Sequence, residues 1–139
     1  MSHITDKQNE IIETFAFYED WDDKYNYIIE LAEELPLIDA KYKTPEYLVE
    51  GCQSKVWIFA EKQDDKIKYT ADSDAIIAKG VVALLLQVVN GASTQEIIDA
   101  EFFFLEEIGL QEHLSPNRAN GLVSMIKQIK LYALALNNK

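Results

Sequence analysis

The single cysteine of the chain, Cys52, lies in the stretch EGCQSKVWIFAEK at residues 50–62. Its thiol offers chemistry that one side chain can perform alone, because a thiolate can attack a sulfur atom while another thiol leaves. Gly51 before it, and Gln53 and Ser54 after it, are residue types that favour turns. The pattern predicts a thiol that a partner protein can reach, on a turn that leads into a strand.

A second interpretation of Cys52 stays open from the residues alone. Free cysteine is among the most buried residue types and often packs as a small hydrophobic side chain. An ordinary thiol, with a pKa near ~8.5, is also only a few per cent ionised at neutral pH. A reactive Cys52 therefore needs activation, either from a partner's site or from its own surroundings. The candidates within the chain are the N-terminus of the helix predicted from Asp74 and the guanidinium of Arg118.

Metal and nucleotide chemistry have little support in the sequence. The chain has one cysteine and two histidines, whereas structural zinc needs about four ligands and an iron–sulfur cluster normally needs about four cysteines. Neither a P-loop nor a G-x-G-x-x-G motif is present, so a nucleotide enzyme is not indicated. We expect this chain to hold no metal or cofactor itself.

A small cysteine hydrolase is a further alternative. Such an enzyme requires a base beside the thiol, and His113 is the only credible candidate. Nothing in the sequence places His113 near Cys52, and a single histidine ahead of a helix is more often a structural hydrogen-bonding residue.

Length and charge restrict the class of protein. The chain has 139 residues and a net charge of −11, which predict one domain over residues 1–139 and argue against nucleic acid or anionic membranes as partners. An acidic surface suits a partner with a basic patch. One cysteine cannot form an internal disulfide, the N-terminus lacks a signal-peptide pattern, and the longest apolar run, 80–86, is far shorter than the ~18 residues that span a bilayer. We therefore expect a soluble protein of the reducing cytoplasm.

Capping residues and hydrophobic spacing predict two N-terminal helices. Thr5 and Gln8 have the spacing of a capping box and predict a helix over 6–18. Asp20 is expected to cap a second helix with an acidic first turn, which Pro36 ends.

A hairpin is predicted in the middle of the chain. Two stretches rich in apolar residues, 55–62 and 66–70, flank the turn signal QDD. The first is apolar on both sides, so we expect both of its faces to be covered. A loop over 36–46 precedes it, with room for one more short strand at 47–50.

Helices are predicted for the rest of the chain. The motif ADSD is expected to cap a core helix over 74–89, and a short helix over 94–100, an aromatic run and a long last helix follow. The capping and stop residues expected there are Ser93, Glu96, Gly109, Ser115 and Pro116. The order α-α-β-β-α-α-α-α predicts an α+β fold, a small antiparallel sheet packed against several helices.

Four blocks of the sequence resemble the SufE/CsdE family, the sulfur-acceptor partners of group II cysteine desulfurases. They are GCQSKVW at 51–57, DWDDKYNYIIELAEELP at 20–36, DSDAIIAKG at 72–80 and HLSPNRANGLVSMIKQI at 113–129. Order and spacing agree over about residues 10 to 135. Ala71 stands where many members have glycine, which leaves the proposed chemistry untouched.

The resemblance implies a function and a fold. A cysteine desulfurase of the SufS/CsdA type uses pyridoxal phosphate to take sulfur from L-cysteine and holds it as a persulfide. The SufE-like partner accepts that sulfur, stimulates the desulfurase and passes the sulfur to an iron–sulfur scaffold complex. It is therefore a persulfide carrier rather than a stand-alone enzyme, and the pyridoxal phosphate stays with the desulfurase. The implied fold is α+β and similar to that of IscU.

The resemblance also assigns roles to residues. Cys52 is implied as the persulfide acceptor, and Gly51, Gln53 and Ser54 match the family's loop. Two more positions match: Asp74 at the start of the predicted core helix is implied to lie near the loop and support it, and Arg118 in the segment SPNR is implied to take part in docking of the desulfurase. From the residues alone, Asp74 could equally just favour the helix dipole, and Arg118 could pair with a surface carboxylate for under ~1 kcal/mol.

Overall fold

An antiparallel hairpin of two strands lies at the centre of the fold, with helices packed against it. Strand β1 spans Val56–Gln63 and strand β2 spans Lys66–Ser73. The register pairs Val56 with Ser73 at the open end and Gln63 with Lys66 at the turn. The structure is a computed structural model that describes residues 3–52, 54–114 and 116–137, without the side chains of residues 116–119.

Helices make up most of the rest of the described chain. Their bounds are α1 His3–Phe17, α2 Trp21–Glu33, α3 Ile76–Val89, α4 Thr94–Asp99, α5 Phe104–Ile108, α6 Leu110–His113 and α7 Pro116–Asn137. Two 3₁₀ turns, Ala40–Tyr42 and Pro45–Tyr47, lie in the loop before β1. The predicted α+β fold class is confirmed.

Helix α3 is the central element of the core, as its apolar sequence predicts. It is buried from Gly80 to Val89 except at Gln87, because α2, β2, α1 and α7 all pack against it. Helices α2 and α3 approach so closely at Gly80 that a Cβ there would overlap the Ile28 carbonyl. This close approach is why a glycine interrupts an otherwise bulky helix.

Helix α7 is tied to the hairpin by two tyrosine hydroxyls. The Tyr69 hydroxyl donates to the Ile129 carbonyl at 2.6 Å, and the Tyr132 hydroxyl donates to the Ile58 carbonyl at 2.8 Å. These bonds fix one face of α7 along the hairpin, which places the start of α7 beside the loop that carries Cys52.

Both faces of the centre of β1 are covered, as predicted. Val56, Ile58 and Ala60 face the core. On the other face, the Tyr42 ring stacks on Phe59 with a centroid distance of 3.9 Å. The loop that contains the two 3₁₀ turns therefore packs over the strand instead of extending into solvent.

The predicted start of the first helix is wrong. Helix α1 begins at His3, so Thr5 lies inside its first turn. Gln8 is 1% exposed; its amide donates to the Glu101 carbonyl and accepts from the Phe104 N–H. Gln8 therefore does not cap the helix; its buried amide links α1 to the segment 101–104. The helix extends back past Thr5, and this buries Ile4.

The predicted start of the core helix is also wrong by two residues. Helix α3 begins at Ile76, and Ser73 still belongs to β2. Asp74 lies between the two elements, where its Oδ1 accepts the Lys55 N–H at 3.0 Å. Because the Asp74 carboxylate accepts the Lys55 N–H, it does not cap α3, whose N-cap is Ala75.

The short strand predicted at 47–50 does not form; only an isolated bridge to β1 is present there. Leu48 forms an isolated antiparallel bridge with Trp57, and the Val49 N–H donates to the Val56 carbonyl at 2.8 Å. The Ser93–Glu96 capping box and the stop at Gly109 are confirmed. Ser115, the expected cap of the last helix, lies outside the described residues.

Candidate functional site

Cys52 lies on the irregular loop between the second 3₁₀ turn and β1. Its side chain is half-buried and faces the start of α7, where Sγ is 3.6 Å from the Gly121 carbonyl oxygen. A Cβ at position 121 would lie only 3.3 Å from Sγ. The absence of a side chain at Gly121 therefore lets the thiol rest directly against the helix.

Gly51 gives the loop a conformation that other residues rarely adopt. Its φ is +88°, in the left-handed region that glycine enters without steric cost. A Cβ on Gly51 would also approach the Ser124 Oγ to 2.6 Å. Gly121 and Ser124 are three residues apart on one face of α7, and together they form the seat of the Gly51–Cys52 pair.

Two fixed points hold the ends of the loop. At its start, Val49 is bonded to Val56 of β1. At its end, the backbone of Lys55 is held from both sides: Asp74 accepts its N–H, and its carbonyl accepts the Ser73 hydroxyl at 2.8 Å and the Asp74 N–H at 3.2 Å. The segment 50–54 therefore spans two anchored ends.

Electrostatics keep the thiol protonated in the free chain. Burial raises the pKa of the Cys52 thiol above its ordinary value, because an apolar environment disfavours the charged form. One candidate for activation, the N-terminus of the core helix, begins at Ile76, and Asp74 lies between it and the loop. Cys52 in isolation is a shielded thiol, not a thiolate.

A cavity of about 360 Å³ opens beside Cys52 on the side away from α7. Pro45, Leu48 and Val49 form its apolar wall. Its polar wall contains Glu50, Ser54 and Lys55. The thiol thus has a closed side against Gly121 and an open side that a small group can enter.

The structure brings together most of the site residues that the sequence analysis named. Gly51, Cys52 and Ser54 share the loop and cavity wall, and Asp74 contacts the loop's end through Lys55. Gln53 lies outside the described residues. Arg118 lies in the first turn of α7, which places its backbone near the seat, while its side chain is outside the description.

The seat residues Gly121 and Ser124 were not found from the sequence. One signal was available: a glycine inside a helix costs about 1 kcal/mol relative to alanine, so a reason such as a close approach was to be expected. What the glycine approaches, a cysteine 69 residues earlier, has no local signal.

His113 makes structural contacts. Its ring stacks on Trp21 with centroids 3.8 Å apart, and its Nδ1 is 3.0 Å from the Gly109 carbonyl. Its own carbonyl accepts the Tyr25 hydroxyl. These contacts link α2 to α6, and they leave the hydrolase interpretation without a base assigned to Cys52.

No group of three or more His, Cys, Asp or Glu side chains in the described part of the chain is placed to bind a metal ion. No helix there has the length and apolar character needed to cross a membrane.

Comparison with known proteins adds a family to this geometry. Residues 9–133 match the family model of SufE, described as the Fe-S metabolism associated domain. The chain belongs to the SufE family. A SufE-family domain places the chain in Fe–S metabolism and sulfur transfer in general, which agrees with a site built around one thiol.

The curated relatives cover almost the whole chain. An uncharacterized SufE-like protein of Rhizobium meliloti is 43% identical over 128 residues, 88% of this chain and 91% of the relative. Another, from Rhizobium etli, is 40% identical over 127 residues, 88% of this chain and 86% of the relative. The resemblance to the SufE family drawn from four sequence blocks is thereby confirmed.

A solved structure supports the fold. The solution structure of a hypothetical protein from Thermus thermophilus superposes with a TM-score of 0.81 and 18% sequence identity, covering 96% of this chain and 97% of that chain. At this identity the match concerns the fold, which the two chains share over almost their full lengths.

Proposed function

We propose that this SufE-family protein accepts persulfide sulfur on Cys52 from a group II cysteine desulfurase and so stimulates the desulfurase's turnover. It then delivers the sulfur to an iron–sulfur scaffold complex in the cytoplasm. The desulfurase carries the pyridoxal phosphate, and this chain contributes the acceptor thiol.

One observation carries the proposal most directly. Cys52 rests against Gly121 on its closed side and faces a cavity of about 360 Å³ on its open side. A sulfur carrier needs both features, because a persulfide in open water is exposed to oxidants and reductants, yet its outer sulfur must enter and leave. The shielded but accessible thiol meets both needs.

The transfer is a thiol exchange on sulfur. The Cys52 thiol loses its proton and attacks the outer sulfur of the desulfurase persulfide; a new S–S bond forms as the donor's S–S bond breaks. The donor sulfur leaves and takes up the proton as a thiol, while the outer sulfur stays on Cys52 with the negative charge that the donor persulfide carried. No net oxidant or reductant is required.

Activation belongs to the docked state in this scheme. Since burial raises the pKa of the Cys52 thiol in the free chain, the thiolate must form where the partner's groups surround it. The anchors at Val49 and Lys55 allow residues 50–54 to leave the seat on α7 as a unit. Ser54 moves with Cys52, and Asp74 and Arg118 support docking; Gln53, outside the described residues, is proposed to support it too.

Intact-protein mass spectrometry is the direct test. The protein is mixed with a group II cysteine desulfurase and L-cysteine without reductant, and the modified peptide is then mapped. We expect a gain of one sulfur atom on Cys52, absent in Cys52→Ser, and a faster desulfurase turnover. An unmodified Cys52 with unchanged turnover would contradict the proposal for that enzyme.

A non-catalytic desulfurase-binding module is the second candidate, because the raised pKa and half-burial of Cys52 also describe an inert thiol. This candidate predicts that Cys52→Ser stimulates the desulfurase as well as the wild-type protein does. Hydrogen exchange separates the two as well: docking should accelerate exchange over residues 47–55 if the loop leaves its seat, and slow it or leave it unchanged if the loop stays.

A further inference from the structure

The seat of Cys52 dictates where a second sulfur must go. An S–S bond is about 2.05 Å long, and the side of Sγ that faces α7 already has no room for a Cβ at position 121 without a 3.3 Å contact. The outer sulfur therefore points away from Gly121. In the seated loop this direction leads into the cavity of about 360 Å³.

One carboxylate and one ammonium line that cavity. Among its described lining residues, the charged side chains are Glu50 and Lys55. The two groups differ in how firmly their backbones are held, since Lys55 is fixed by three hydrogen bonds to Ser73 and Asp74. The ammonium is carried on a flexible four-carbon stem from this fixed backbone, and Lys55 lines the same cavity as Cys52.

The Lys55 ammonium is available for an anion. None of the side chains that the structure describes forms an ion pair with it. Lys55 and Cys52 line the same cavity, so the ammonium and a second sulfur on Cys52 share one space.

We propose that the Lys55 ammonium stabilises the outer sulfur of the Cys52 persulfide as an anion while the loop is seated. Since Cys52 must carry sulfur for this to operate, the role of Lys55 rests on the proposed function. The site then discriminates between its two states: the unloaded thiol rests against the Gly121 carbonyl, and the loaded persulfide meets a cation. Lys55 thereby helps the chain to retain its cargo between receipt and delivery.

The test uses a persulfide made without the desulfurase. The full-length protein is loaded on Cys52 with inorganic polysulfide, and the rate at which iodoacetamide alkylates the outer sulfur is followed by mass spectrometry across a pH series. The midpoint of this pH profile is the pH at which half of the outer sulfur is anionic. We expect Lys55→Gln to raise the midpoint by about 0.3–0.7 pH units, as for the loss of an exposed charge pair. At a pH below the midpoint, the anionic fraction then falls by about two- to fivefold. Lys55→Arg should keep the wild-type midpoint.

Lys68→Gln is the matched control. It removes the same charge from an exposed position opposite Glu61 in the hairpin and should leave the midpoint unchanged. A midpoint of Lys55→Gln equal to that of the wild type would overturn the proposal, and so would a shift in Lys55→Arg as large as that in Lys55→Gln.

The two proposals fail separately. If the wild-type protein receives no sulfur from the desulfurase while the chemically loaded persulfide shows the Lys55 shift, the sulfur-acceptor function fails, although the electrostatic effect of Lys55 on a persulfide at Cys52 is real. If the wild-type protein is loaded by the desulfurase but Lys55→Gln shows no shift, only the role of Lys55 fails.

Discussion

At the scale of single residues, the chemistry of this chain depends on what is missing around Cys52 as much as on what is present. Gly121 contributes no side chain to the seat, and Gly51 can adopt a φ of +88°. Both allow the thiol to approach the helix closely and to be partly withdrawn from water. The thiol is therefore stored in its protonated form.

Gly121→Ala tests the seat. The added Cβ would lie 3.3 Å from Sγ, and overpacking by one carbon typically costs about 1–3 kcal/mol. Since 1 kcal/mol is about a factor of five in a population, we expect iodoacetamide to alkylate Cys52 about fivefold faster or more. Asn120→Ala, at an exposed neighbouring position, is the control and should leave the rate as it is. An unchanged rate in Gly121→Ala would show that the loop accommodates the methyl without leaving its seat.

The pKa of Cys52 predicts a pH dependence of stability. Burial raises the folded-state pKa, so above the unfolded value near ~8.5 the folded state retains a proton that the unfolded state has lost. Stability contributed by this group is complete below that pH and decreases as the pH rises. Urea denaturation between pH 7 and 9.5 should show a decrease in the wild-type protein that is smaller in Cys52→Ser. Equal pH dependence in the two proteins would contradict the burial effect.

At the scale of elements, the loop of Cys52 is organised by its neighbours rather than by itself. β1 holds its start through Val49, the β2–α3 connection holds its end through Asp74, and α7 provides its seat. Three elements thus converge on five residues. The conformation of the loop therefore depends on contacts with residues far from it in the sequence.

Asp74→Ala tests the anchor at the loop's end. The variant removes the acceptor of the Lys55 N–H, a bond of about 1 kcal/mol net, so the amide of Lys55 should exchange about fivefold faster. Alkylation of Cys52 should accelerate in parallel. Asp65→Ala, in the exposed hairpin turn, is the control. If the Lys55 amide exchanged at the wild-type rate in Asp74→Ala, the two hydrogen bonds to the Lys55 carbonyl would be enough to hold the end of the loop.

At the scale of the whole molecule, the apolar helix α3 joins the site to the rest of the fold. It packs on β2, α1, α2 and α7, so that the hairpin and the seat on α7 share one core. The acidic surface, with a net charge of −11, surrounds this core and suits a partner with a basic docking face.

Gly80→Ala tests how closely the core is packed. A Cβ at position 80 would overlap the Ile28 backbone carbonyl, and backbone cannot yield as a side-chain tip does. We expect a loss of about 1–3 kcal/mol or more in the free energy of unfolding, measured by urea denaturation. Gly121→Ala, the other helical glycine with a close contact, should lose less, since its neighbour is a loop side chain. A neutral Gly80→Ala would mean that α2 and α3 can separate without cost.

The sequence by itself determined the local features of this protein. Turn residues around Cys52, the Asp20 cap, the alternation of the hairpin and the apolar run of α3 are each encoded within a few neighbours, and each was predicted. The family followed from four such blocks. Gln8 and Asp74 were assigned wrongly as capping residues. A polar side chain that can cap a helix can equally well hydrogen-bond to the backbone of a distant segment, as both residues do.

Only the tertiary structure decided how those parts meet. Gly121 lies 69 residues from Cys52 and Asp74 lies 19 from Lys55, and no periodic pattern links positions so far apart. How far the thiol is withdrawn from water and what holds the ends of its loop depend on these contacts. The physical reason is that burial and electrostatics depend on distances in space, whereas capping, turns and amphipathic faces depend on spacing along the chain.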